Sequence, residues 1–363
     1  MLSPDPAAPA PADPAGVVLA PAGRVDEAAA PWLVSGDRAL PMHGWARSPC
    51  AQASSVTELV QRWDRFRLDL QTLLENPSTA EQIAHHGTPT GGLRLQAPLR
   101  PGQVFCTIGN YRRQVVEAAV DAAGPADAQA RRMATLHTLA QRRRDGDPYV
   151  CLTSPDRVGR PGGPLVLPAG VDTLDWEIEI GAVIGGSGSH LAPQRAGGSV
   201  AGYCVANDLT IRARVARPDL PALGSDWLQS KGMRGSLPLG PYFVPSWQIP
   251  DPGRLRLRLT LNGATMQDDT AGDMLFGIDE QLAYLSRHTR LRPGDLLCTG
   301  SPAGFGSHHG RYLRPGDVIR ASITGLGEQV KFCVDQAVDQ AVEQAEHRTA
   351  VDLHRTPQME PAP

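Results

Sequence analysis

Asp175-Trp176-Glu177-Ile178-Glu179-Ile180-Gly181-Ala182-Val183-Ile184-Gly185 is the stretch on which the reading of this chain turns. In a strand the side chains alternate between faces, so Glu177 and Glu179 share one face. Trp176, Ile178 and Ile180 then point the other way, into apolar packing. Two neighbouring carboxylates on one face repel, and burying both is costly without a counter-charge. A divalent cation supplies one. A solvent-exposed face is the alternative, and there the pair would carry no function.

Downstream, Gly202-Tyr203-Cys204-Val205-Ala206-Asn207-Asp208 is an apolar strand ending in a polar pair. Asp208 can bring a third carboxylate to the same point. Three carboxylates with water suit a hard, oxygen-seeking ion such as Mg²⁺ or Mn²⁺. Zinc would call for His or Cys at chelating spacing, and the adjacent His308 and His309 are poorly spaced for it.

Around this centre the chain from Tyr149 onward consists of short apolar strands cut by Gly and Pro, such as Leu165–Leu167, Trp176–Ile184 and Leu255–Leu261. One helical pattern, Met274 to His288, interrupts them. Leu-Arg-Pro-Gly-Asp occurs twice, at Leu291–Asp295 and Leu313–Asp317, each a turn that launches a strand. Earlier, Ser55 and Glu58 fit a capping box. They open a helix from Val56 to Glu75 with an apolar stripe of Leu59, Trp63, Phe66, Leu70 and Leu73. Val104–Ile108 reads as a buried strand, and Val115–Ala122 and Ala128–Arg143 as helices. Long helices do not alternate with strands, so a doubly wound sheet is disfavoured. The expectation is a mixed α+β fold, mainly β. An Ala/Pro-rich arm (1–32) and a smaller lobe (33–100) precede the main domain (101–333), and a polar tail (334–363) follows it.

The formal net charge is −3, with both signs mixed along the 363 residues. That disfavours a general polyanion binder, so neither a nucleic acid nor a membrane is an expected partner. No apolar run approaches the ~20 residues of a membrane helix. The six cysteines are dispersed without a Cys-x-x-Cys pair, and the N-terminus does not read as a secretory signal. Reduced thiols and a cytoplasmic location are the expectation.

The chain resembles the fumarylacetoacetate hydrolase family over roughly residues 101 to 333. The segments that carry the resemblance are GNYRRQVVE (109–117), DWEIEIGAVIG (175–185), AGYCVANDLTIR (201–212), KGMRGSLPLGPYFVP (231–245), LNGATMQ (261–267) and LRPGDLLCTGSPAGFG (291–306). The resemblance implies a rolled β-structure with short helices, usually in a homodimer. It implies Mg²⁺ or Mn²⁺ on Glu177, Glu179 and Asp208, with Lys231 beside the substrate. Tyr111, Arg212 and Ser301 match substrate-pocket positions.

Departures bear on the reaction. The family's first motif usually has a His three residues before a Glu on a short lid helix. Here Gln114 stands at the His position and Glu117 is kept. Gln holds water by hydrogen bonds but is no general base. Glu117 is therefore the expected acid/base and Gln114 its orienting partner, with His137, His308 and His309 as candidate substitutes for the missing imidazole. Arg234 stands where the family commonly has Asp; the added positive charge either favours an acidic substrate or pairs with an acidic neighbour. Val215 replaces a Gln found in some hydrolytic members. The expected function is metal-dependent cleavage of a C–C bond in a small 1,3-diketo or 2-oxo acid. Decarboxylation, dehydration or isomerisation at the same site is the alternative, and a non-catalytic ligand-binding member is a further one.

Overall fold

The computed structural model describes residue 14 and residues 16–23 and 29–336. Much of the expected N-terminal arm and nearly all of the expected tail lie outside the described residues.

The architecture is mixed α+β, with a curled, half-barrel arrangement of sheets and a helical lobe. A six-stranded sheet runs in the order Val244–Pro245, Val200–Asn207, Ile178–Ile184, Leu296–Cys298, Val104–Ile108 and Tyr149–Thr153. A five-stranded sheet has the order Ala264–Thr270, Arg256–Leu261, Val318–Ile323, Gly327–Asp335 and Gly162–Leu167. Strand Arg256–Leu261 buries Leu257, Leu259 and Leu261 and leaves the alternate positions partly exposed. One core joins these leucines to Ile178, Ile180 and Val205 of the six-stranded sheet. Each such side chain, fully buried, stabilises the fold by about 1.5–3 kcal/mol. Both Leu-Arg-Pro-Gly-Asp turns are built alike. The Asp295 carboxylate accepts the Arg292 N–H at 2.9 Å and the Asp317 carboxylate accepts the Arg314 N–H at 2.8 Å. The strands Leu296–Cys298 and Val318–Ile323 follow directly.

The N-terminal region forms a third, five-stranded sheet in the order Thr88–Pro89, Arg38–Pro41, Ala30–Ser35, Val18–Gly23 and Arg94–Leu95. Residues 18–23 fall within the stretch expected to be a loose arm, yet form a strand. Val18, Leu19, Ala20 and Ala22 are buried, and this apolar face outweighs the turn-forming composition around it. The expected single helix is two, Val56–Gln61 and Trp63–Glu75, because Arg62 leaves helical geometry (φ −111°, ψ 35°). Half of the expected capping box forms. The Ser55 hydroxyl accepts the Glu58 N–H, but the Glu58 carboxylate turns to Ser54. The apolar stripe of these helices packs on the back of the six-stranded sheet, where Leu59, Trp63 and Leu70 share a core with Val183, Cys204 and Phe243.

Candidate active site

Strand geometry and two turns bring the acidic residues together. Ile178–Ile184 and Val200–Asn207 pair in antiparallel register with Ile178 opposite Asn207. Glu177 therefore lies just before one strand and Asp208 just after the other, at the same end of the sheet. The Asp208 N–H donates to the Glu177 carbonyl at 2.8 Å, and the Glu177 N–H to the Asn207 side-chain oxygen at 3.0 Å. Glu177, Glu179 and Asp208 are all buried, and one carboxylate oxygen from each lies within 4.8 Å of the others. Glu177 precedes the strand instead of sitting inside it, but the three groups converge as the two-residue spacing suggests.

Cations surround this cluster unevenly. Lys231, at the end of the short helix Trp227–Lys231, is buried and donates to Asp208 at 2.6 Å, Thr210 at 2.7 Å and Glu177 at 3.2 Å. Arg157, wholly buried, pairs with the other Asp208 oxygen at 2.5 Å. Arg212 binds Asp175 at 2.7 Å and Glu177 at 2.5 Å, and stacks 4.4 Å over the Phe305 ring. Burial pushes the Asp208 carboxyl up, but Arg157 and Lys231 together outweigh it and hold the group below the ordinary carboxylate range. Burial likewise opposes the Lys231 charge, and Asp208 and Glu177 overcome it, holding the ammonium above its ordinary range.

Glu179 differs. Its carboxylate accepts the Gly300 N–H at 2.7 Å, and among the described residues no cation pairs with it. Burial, then the charges of Asp208 and Glu177, push its carboxyl well above the ordinary range. A pocket that leaves one of three converging carboxylates without an ion-pair contact of its own suits a cation. A nearby hydroxyl is consistent with this. The Tyr111 hydroxyl is fully buried with no hydrogen-bond partner among the described residues, and lies close enough to Glu179 to feel its charge. All-oxygen donors with this geometry fit a hard divalent ion.

One loop, residues 299–306, holds three carboxylates by backbone N–H groups. Gly300 donates to Glu179, Gly304 to Glu117 at 2.7 Å, and Gly306 to Asp175 at 2.7 Å. Gly304 has φ +99°, and a Cβ there would lie 1.9 Å from the Met266 carbonyl oxygen. Only glycine fits. Gly300, Gly304 and Gly306 all act through the backbone. Their actual work, donating N–H groups to carboxylates over 100 residues away in the chain, has no local signature. Ser301 is buried in the same loop and accepts from Gln267 at 2.9 Å.

Gln114 and Glu117 lie on the helix Arg112–Ala123, with Gln114 buried. The Glu117 carboxylate also approaches the His308 ring at 3.6 Å, and His308 meets Asp121 at 2.9 Å. The structure thus places His308 beside Glu117, while His137 is exposed on the next helix. Glu117 and His308 line a cavity of about 500 Å³ with Arg112, Arg113 and Arg132. Arg234 is not brought to the carboxylates. It is exposed in a groove shared with Arg160 and Lys331, because the turn after Lys231 carries it outward. Arg157 was missed from sequence because its partner Asp208 is 51 residues away and no motif marks it.

Residues 103–334 match the family model "Fumarylacetoacetate (FAA) hydrolase C-terminal". The chain belongs to the fumarylacetoacetate hydrolase family. Among solved structures, one from Mycobacterium abscessus, described as a probable 2-hydroxyhepta-2,4-diene-1,7-dioate isomerase, is 26% identical with a TM-score of 0.65, covering 88% of this chain and 99% of that one. Fumarylpyruvate hydrolase from Pseudomonas aeruginosa, solved with Mn²⁺ and pyruvate, is 26% identical with a TM-score of 0.53, over 66% of this chain and 91% of that one. A Burkholderia lata protein named provisionally as a hydrolase is 36% identical over 179 residues, 48% of this chain and 61% of that protein. The chain thus matches about three fifths of the length of such curated relatives.

Proposed function

We propose that this protein is a Mg²⁺- or Mn²⁺-dependent hydrolase that cleaves a C–C bond in a small 1,3-diketo or 2-oxo acid. The observation that carries this reading is the buried convergence of Glu177, Glu179 and Asp208 with Glu179 lacking a cation. The named activity of the Pseudomonas relative, and the Mn²⁺ and pyruvate in its structure, support it.

Glu177, Glu179 and Asp208 would hold the ion, which supplies positive charge to substrate oxygens as a Lewis acid. Lys231 fixes the Asp208 and Glu177 carboxylates and adds a buried positive charge beside them. Arg212 clamps Glu177 from the other side. Tyr111, with its free hydroxyl, and Ser301 are the groups assigned to orient substrate. Glu117 is assigned the proton transfer, Gln114 the positioning of water. His308, beside Glu117, shares the proton in place of the imidazole absent at position 114. Arg112, Arg113 and Arg132 around their cavity suit an anionic substrate. Arg234, on its separate groove, has no part in this assignment.

Isomerisation is the second reading, favoured by the described activity of the Mycobacterium relative. It needs the same proton transfer without an attacking water. The test is a panel of acylpyruvates, oxaloacetate, 2-oxo-3-deoxy sugar acids and a 2-hydroxy-dienoic diacid assayed with Mn²⁺. Cleavage of an acylpyruvate into two acids supports hydrolysis. Turnover of a dienoic acid without a change of mass favours isomerisation, and no turnover of any member overturns both.

A further inference from the structure

The dispersed cysteines come together in the fold. Cys298 pairs with Cys106, and Cys106 with Cys151, as direct neighbours on adjacent strands. Gly181 and Cys204 continue the same row on the other side of Cys298. Residues abreast in a sheet share a face, so the three thiols of Cys298, Cys106 and Cys151 stand side by side. The Cys106 sulfur also lies 3.7 Å from the Thr153 hydroxyl on the edge strand. Directly opposed residues in antiparallel strands have Cα atoms ~4.5–5.5 Å apart, within the range a disulfide spans. Cys106 and Cys298 are buried, but Cys151 is partly exposed on Tyr149–Thr153, the edge strand of the sheet. A small oxidant can therefore reach one end of the row.

The row also touches the carboxylate cluster. Glu179 stands two residues before Gly181 and leaves the same face of the sheet. Arg157 donates to the Cys106 sulfur at 3.7 Å with one guanidinium nitrogen and pairs with Asp208 through another. Its remaining contacts, Thr153 at 3.2 Å, Ser236 at 3.1 Å and the Leu209 carbonyl at 3.3 Å, leave it little freedom.

We propose that Cys106 and Cys151 are a dithiol that a small hydroperoxide converts to a disulfide, and that this weakens the hold of the carboxylate cluster on a divalent ion through Arg157. Cys151 sulfur attacks the peroxide, the O–O bond breaks, and a sulfenic acid forms with release of water or alcohol. Cys106 sulfur then attacks Cys151 sulfur, the S–O bond breaks, and water leaves with the thiol proton. Two thiols are oxidised and one peroxide is reduced. A disulfide sulfur is a poorer acceptor than a thiol or thiolate, so Arg157 commits more fully to Asp208 and withdraws charge from the ion. Groups that orient metal ligands typically change affinity by about tenfold or more.

The coupling rests on the proposed metal site, and the dithiol does not. The test treats the full-length protein with hydrogen peroxide, then follows free thiols, non-reduced peptide masses and Mn²⁺ affinity. The expected result is loss of two thiols, a linked Cys106–Cys151 peptide pair about 2 Da lighter than its parts, and reversal by dithiothreitol. Mn²⁺ affinity should fall about tenfold in the oxidised form and stay unchanged in peroxide-treated Cys151→Ser. A Cys106–Cys298 link, or sulfinic acid on Cys151 with Cys106 intact, overturns the dithiol. Unchanged Mn²⁺ affinity in a verified disulfide form overturns the coupling. If the reduced wild type binds no Mn²⁺, the metal reading fails and so does the coupling, while the peptide masses still decide the dithiol.

Discussion

Glu179→Gln offers a test in which two effects of opposite sign come from one side chain. The substitution keeps the shape of Glu179 and removes its charge. In the metal-free protein that charge faces Glu177 and Asp208 within 4.8 Å. Each like pair at this separation costs about 3 kcal/mol at the effective dielectric of partly relaxed protein sites. The charge of Lys231 offsets roughly one pair, leaving about 3 kcal/mol as an upper figure, since Glu179 can take up a proton instead. The variant should therefore be more stable than wild type in EDTA, by about 1–3 kcal/mol near neutral pH. The gap depends on pH in a defined direction. An acid whose folded pKa is raised binds its proton more tightly when folded, so its favourable contribution is complete below the unfolded value near ~4.3. That contribution is lost as pH rises through the raised folded value. Wild type should thus match the variant at acid pH and fall behind as pH rises, and the gap should level off once Glu179 is ionised. Added Mn²⁺ should reverse the order, because only wild type presents three anionic ligands. Urea unfolding at several pH values, with EDTA and with Mn²⁺, reads both effects. A variant less stable than wild type in EDTA would refute the view of Glu179 as an uncompensated charge.

Three further expectations can be checked directly. Glu117→Gln should lower turnover of the best panel substrate by ~10²-fold or more with Mn²⁺ affinity nearly unchanged, measured by steady-state kinetics and titration. Gly304→Ala, which puts a methyl group against the Met266 carbonyl, should cost at least about 2 kcal/mol in urea unfolding and lower turnover by loosening Glu117. Light scattering at micromolar concentration should give about twice the 38.7 kDa chain mass, as expected for a homodimer.

How much of this was legible in the sequence depended on the distance between partners. Glu177 and Glu179 are two residues apart and Asp208 ends an apolar run, so local periodicity was enough to suggest their convergence. Val104–Ile108 was equally readable, because five apolar-rich residues between breakers leave few alternatives. Arg157 was invisible, since its role comes from the tertiary placement of a short 3₁₀ turn (Pro155–Arg157) against Asp208. The thiol row was hidden for the same reason. Cys106, Cys151 and Cys298 are far apart in sequence and meet only through strand register. Residues 18–23 were misjudged because Ala and Pro dominate their surroundings, whereas the buried Val18 and Leu19 decide the outcome. Arg234 looked like a pocket residue from its spacing to Lys231, but a turn of three residues is enough to carry it onto another surface.

Everything assigned to this site follows from Glu177, Glu179 and Asp208 holding one divalent ion. Anomalous diffraction from Mn²⁺-soaked crystals tests it most directly. The expected result is a single strong peak per chain at bonding distance, ~2.0–2.3 Å, from an oxygen of each of the three carboxylates. A peak at Glu117, Asp121 and His308 instead, the other acidic cluster among the described residues, or no peak beside Glu179 at saturating Mn²⁺, would contradict it.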